Sequence, residues 1–197
     1  MHASAIAEPQ LAPPGAGIPA TERIIGGLIF ALRRWRGSAE RFSAEFVGER
    51  KAIASLYRSR SDVAVAKRVL IPRLRGLEDS SRFWSVLMTL DHLRIVNIQI
   101  TDVIAKLKRG ATPTGVASTA AVKPSAEVDA SVVPLYEASC DELLAVVSGG
   151  ENLRTGVRFA HPWFGPLDGH GWHLMAAAHM GIHRAQIEKI LRAGELR

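Results

Sequence analysis

An all-α fold, a four-helix bundle with one long crossover connection, is predicted by three features of this 197-residue chain. Apolar residues recur at helical spacing through several long segments, strand-like alternation is weak throughout, and a Pro/Gly-rich stretch over 110–127 is longer than a bundle turn needs. The length suits one domain with a substantial core. A hydrophobic content of 47% and a mean hydropathy of +0.08 are those of a globular protein.

Residues 1–20, rich in Ala, Pro and Gly, lack apolar periodicity and read as a disordered N-terminal tail, which leaves 21–197 as the bundle domain. Thr21 and Glu22 offer a helix start, and Ile25, Leu28, Ile29 and Leu32 follow helical spacing up to Trp35. Gly37-Ser38 interrupts the pattern before Phe42, Phe46, Ile53, Leu56 and Tyr57, so this region is two helices or one kinked helix. Ser61-Asp62 opens another helix or turn, and Pro72 closes it by disfavouring helical geometry at Ile71. Ser80 and Ser81 are cap candidates for a second long helix running through Trp84, Leu87, Leu90, Ile95, Ile98, Val103 and Leu107 to Gly110. The 110–127 link exceeds the 2 to 8 residues usual between antiparallel neighbours and predicts a crossover. A third helix is expected over Ala130–Val147, ending before Gly149-Gly150. After a loop containing His161-Pro162-Trp163-Phe164-Gly165-Pro166, a last helix runs from about Gly171 to Ala193, with Gly194 as its stop.

Composition narrows the function classes. No apolar run reaches the roughly 20 residues of a membrane helix, so no membrane role is expected. The N-terminus has neither a basic nor a compact apolar region of a secretory signal, and a single cysteine, Cys140, cannot form an internal disulfide. Both agree with a cytoplasmic protein, with Cys140 a small buried hydrophobe. The formal charge of +6 and pI near 10.0 come from arginines scattered among acidic residues along amphipathic segments, which argues for solvated helix faces and against nucleic-acid binding.

The chemistry-bearing motif is His179-Met180-Gly181-Ile182-His183, two histidines at i and i+4. On a helix they lie one turn apart on one face and can converge on a cation. His92, midway along the second long helix, is the candidate third ligand, because bundles build metal sites from facing helices. Three imidazoles leave a coordination position open for water or substrate, whereas structural zinc sites close with four protein ligands. A surface pair or satisfied core histidines remain the alternative. Met180 stands where a metalloprotease places its general-base glutamate, which disfavours peptide hydrolysis.

Gln186 and Gln99 share helix faces with His183 and His92 and are candidates to support an imidazole or orient a ligand. Trp163 and Phe164 are expected to cap the bundle mouth, with Trp163 also a candidate substrate contact. Asp91 points about 100° from His92 on an ideal helix and is expected at the surface. His173 falls on a different face from His179 and is left out of the metal set; His161 and His170 receive no role.

With His92 midway along a bundle helix and His179, His183, Arg184, Gln186 and Ile187 on the terminal one, the chain resembles the DinB-like (DinB/YfiT-like) superfamily of metalloenzymes over most of residues 21–193. The segment His161-Pro162-Trp163-Phe164-Gly165 resembles an uncharacterised subgroup. The resemblance implies a four-helix bundle, frequently a homodimer, and a divalent metal, zinc or nickel, held by His92, His179 and His183. It also implies a small-molecule substrate, with thiol-dependent S-transfer using a low-molecular-weight thiol, or related metal-activated nucleophile chemistry on an electrophile, as the reaction class. The catalytic residues are not identified. A non-catalytic metal- or ligand-binding bundle, a stress-response or interaction protein, uses the same three histidines, so the sequence leaves enzyme and binder both open.

Overall fold

The computed structural model describes residues 8–149 and 152–195. Four helices form the bundle: α2 (Ala39–Arg58), α4 (Val86–Lys108), α5 (Val132–Val147) and α6 (Gly169–Glu195), with α1 (Ala20–Arg36) outside it and a short α3 (Asp62–Ala66) in the first connection. Phe42, Phe46, Ile53, Leu90, Leu93, Ile104, Tyr136, Leu143, Leu174 and Met180 fill the core between the four.

Ends are set by local chemistry. Ser38, Ser61 and Ser85 accept the N–H groups of Arg41, Ala64 and Met88 at the starts of α2, α3 and α4. Asp168 accepts the Gly171 N–H at 2.8 Å at the start of α6 and pairs with Arg34 at 2.8 Å. The region before Tyr57 is two helices, and the break needs its glycine, because a Cβ on Gly37 would lie 2.3 Å from the Phe42 ring. Gly110, at φ +74°, turns the chain out of α4.

Contacts define the helix directions. Phe42 and Ser43 of α2 meet His170 and His173 at the start of α6, and Glu49 pairs with Arg184 further along, so α2 and α6 are parallel. Asn97 meets Ser139 and Cys140, and Lys108 reaches the Val146 carbonyl, so α4 and α5 are parallel too. A parallel neighbour explains the long link: α5 ends beside the end of α4, so after α4 the chain must travel back about 24 Å, the length of the 16 residues of α5, before α5 can start. On that return path the Ser125 N–H binds Asp91 and the Val122 carbonyl meets His92.

Several expectations need correction. The second long helix starts at Val86, not after Ser80-Ser81; those serines sit in a 3-10 turn, and Ser85 supplies the cap. Among the described residues there are two small antiparallel ribbons: β1 (Val69–Leu70) with β2 (Phe83–Trp84), and β3 (Phe159–His161) with β4 (Gly165–Leu167), where a loop was expected. The last helix starts at Gly169 and runs through Gly194. Asp91 is buried rather than exposed, paired with Arg94 and tethering the crossover.

The tail expectation is corrected over residues 8–20; residues 1–7 lie outside the described ones. Ala20 already belongs to α1, the Ala12 N–H binds Asp79 at 2.8 Å, and the Gly15 and Gly17 N–H groups bind Glu78 at 3.2 and 3.3 Å. The segment is held by carboxylate acceptors, buried Glu78 and half-buried Asp79, and not by an apolar face, a signal that periodicity does not carry.

Candidate metal centre

His92 on α4 faces His179 and His183 on α6, one turn apart, because the two helices run antiparallel past each other. The His179 Nε2 atom lies 3.1 Å from His92 Nε2 and 3.0 Å from His183 Nε2. His92 and His183 are buried, and Trp84 packs against both rings, 5.2 Å from one and stacked 6.2 Å from the other.

The supporting hydrogen bonds assign the tautomers of two rings. His92 Nδ1 is 2.6 Å from the Val122 carbonyl, so it carries the proton and donates. The Gln186 amide nitrogen donates to the Ser81 carbonyl at 2.7 Å, which leaves Gln186 Oε1 to accept from His183 Nδ1 at 2.6 Å. Both Nε2 atoms therefore present lone pairs, and both point at His179. One proton on His179 Nε2 can serve only one of them well, and His179 Nδ1 is buried with no partner among the described residues. Three converging nitrogens with a proton deficit suit a cation. The three ligand atoms lie within 4.8 Å of one another, close enough for imidazoles to share one cation.

Electrostatics favour the neutral, ligating form. Burial pushes His92 down to about 4, against the opposing pull of its bond to Val122. His179 and His183 are held well below the ordinary histidine range, first by burial and then by the neighbouring histidines.

Of the other candidates, Gln186 supports His183 directly. Gln99 lines the cavity described next, but His92 takes its support from the Val122 carbonyl instead. Trp163 lines the same cavity, and Phe164 stacks on Phe30 of α1 at 4.5 Å. His173 lies apart from the triad, with Nε2 3.2 Å from the Ser43 hydroxyl. Sequence reasoning missed the main-chain carbonyls of Val122 and Ser81, which carry no side-chain signature, and the buried Glu78. Glu78 accepts from Thr119 at 2.8 Å and pairs with Lys123 at 3.3 Å, clamping the crossover where it meets His92. Burial raises the Glu78 pKa, but Thr119, the Gly15 N–H and Lys123 outweigh it and hold the carboxyl below its usual range.

A cavity of about 920 Å³ opens above the triad between α1, α4, the crossover and the β3–β4 ribbon, and both His92 and His183 line it. The fold is thus a four-helix bundle with a three-histidine cluster at a cavity floor. Among solved structures, the chain is similar to TT2238, described as a four-helix bundle protein, at 22% identity and a TM-score of 0.56, over 77% of this chain and 98% of that one. No protein-family profile and no curated protein matches the sequence. Among the described residues, no helix is long and apolar enough to cross a membrane.

Proposed function

We propose that this chain is a divalent-metal-dependent enzyme of the DinB-like kind, with His92, His179 and His183 as ligands to zinc or nickel. The observation that supports it best is the convergence of three imidazole nitrogens, two with lone pairs assigned by their partners, at the floor of a cavity large enough for a small-molecule substrate. A metal held by neutral imidazoles would keep most of its charge and activate a bound thiol or water toward an electrophile.

The residues of the chain supply the rest. The Val122 carbonyl and Gln186 hold two imidazoles with Nε2 inward. Trp84 covers the side away from the cavity, and Lys123 lies 5.2 Å above its ring, with its charge paired to Glu78. Met180 is buried in the core, so the position of a metalloprotease base is apolar. The reaction that fits is transfer of a low-molecular-weight thiol, or of water, to a small electrophile in a cytoplasmic setting. Exposed Ile24, Leu28, Leu32 and Trp35 on α1 are consistent with a homodimer, which sedimentation of wild-type and Trp35→Glu proteins tests.

The deciding experiment is metal analysis of tag-free protein, followed by thiol-transfer assays with several cellular thiols on metal-loaded wild type and His183→Ala. Stoichiometric metal and turnover, both lost in the variant, support the enzyme. Metal binding without turnover on any thiol or hydrolytic substrate supports the non-catalytic bundle.

A further inference from the structure

The cavity roof is one face of α1. Thr21, Glu22, Ile25, Ile29, Phe30 and Arg33 line it at helical spacing, opposite the histidines. Amphipathic helices normally bury their apolar stripe against a core. Here the stripe meets open space: Ile25 and Ile29 remain 59% and 55% exposed, and Phe30 is the buried residue of the helix. The helix is nonetheless held in place. Glu22 pairs with Arg73 and accepts the Gly76 N–H, Arg33 pairs with Glu45, Arg34 pairs with Asp168, and Phe30 stacks on Phe164.

The other walls are of the same character. Val96, Ile100 and Val103 come from α4, and Phe159, Trp163 and Trp172 from the ribbon and α6. The charged groups mostly neutralise one another: Glu22 with Arg73, Arg33 with Glu45, Asp102 with Lys106, and Glu78 with Lys123, while Arg75 is exposed to solvent. A ligand filling this space therefore meets aliphatic and aromatic surface along its body, and nitrogen ligands at one end.

We infer that the cavity binds a predominantly apolar organic molecule that lies along the Ile25–Ile29 face of α1 and directs a single metal-binding head group, a carboxylate or thiol, at the three histidines. The head-group clause rests on the metal reading proposed above; the apolar-body clause rests on the cavity walls alone.

The test is calorimetric titration of the full chain, metal-free and zinc-loaded, with hexanoate, octanoate and decanoate. One site per chain is expected, tightening about fourfold per added methylene. Zinc should tighten each acid further. Ile25→Glu should abolish the chain-length dependence and Ile29→Ala should weaken it severalfold, both at exposed positions where the fold is not at stake. Val63, 79% exposed on α3 and outside the cavity lining, is the control: Val63→Glu should bind as wild type. Affinity independent of chain length, or Ile25→Glu binding like wild type, would overturn the assignment. Intact chain-length dependence with no effect of bound zinc would overturn the head-group clause and leave the apolar cavity standing, whereas zinc that fails to bind the full chain would reject the metal reading.

Discussion

Replacing Gln186 by Leu separates support of the proposed metal site from ligation itself. Gln186 is fully buried and makes two bonds, accepting from His183 Nδ1 at 2.6 Å and donating to the Ser81 carbonyl at 2.7 Å. Leucine fills similar volume but leaves both partners buried and unsatisfied, at about 1–3 kcal/mol each, partly offset because the amide no longer needs desolvating. A net loss of roughly 2–4 kcal/mol is expected, or about 4–16 °C in Tm for a chain of this length. The freed His183 ring can also rotate or change tautomer, and losing such a support typically weakens metal affinity about 10- to 100-fold. Gln186→Glu is the informative companion. Its carboxylate still accepts from His183 and makes the imidazole a better ligand, but it cannot donate to Ser81, so stability should fall while zinc affinity is retained. Competition titration against a fluorescent chelator reads affinity, and thermal unfolding of the metal-free proteins reads stability. Wild-type zinc affinity in Gln186→Leu, or equal loss in both variants, would refute the assigned roles of the two amide atoms.

Four further outcomes follow from the structure. Deleting residues 1–17 strips the Ala12, Gly15 and Gly17 donors from Asp79 and Glu78 and should cost about 2–4 kcal/mol; an unchanged urea midpoint would show that the segment contributes nothing. Gly37→Ala drives a Cβ into the Phe42 ring and should cost about 1–3 kcal/mol, read by the same midpoint. Burial pushes His161 and His173 down to about 4, so below about pH 6.5 the unfolded chain takes up protons that the folded one refuses. Stability should therefore fall as pH drops from about 6.5 to 4, with a shallower slope in His173→Gln; a flat profile would contradict it. Burial raises the Cys140 thiol to about 12, so aromatic disulfide reagents should label it only after unfolding, and rapid labelling of folded protein would place it elsewhere.

Much of the architecture was legible because helical periodicity and glycine or proline punctuation are local signals. The spacing of Phe42, Phe46 and Ile53 marks the buried face of α2, and the i, i+4 spacing of His179 and His183 puts both on one side of α6. The long 110–127 link announced a crossover, since the length of a connection limits which helices it can join. Helix starts were less legible: Ser80 and Ser81 look like caps, but Phe83-Trp84 pairs with Val69-Leu70 and the helix starts only after Ser85.

By itself, then, the sequence determined the helical class, the number of bundle helices and the identities of the three histidines, all of which depend on residue type and near-neighbour spacing. Tertiary structure decided what depends on distant chain segments meeting. The antiparallel crossing of α4 and α6 brings His92 within 3.1 Å of His179. The parallel pairing of α4 and α5 sends the crossover back over His92, where the Val122 carbonyl sets that ring's proton. Buried Glu78 gathers the N-terminal segment and the crossover through donors 41 to 63 residues away in sequence, a charge in need of partners that no periodicity reveals. The apolar stripe of α1 reads in sequence as an ordinary core face; only the fold shows it roofing a cavity, because burial is a property of what lies opposite a residue and not of the residue itself.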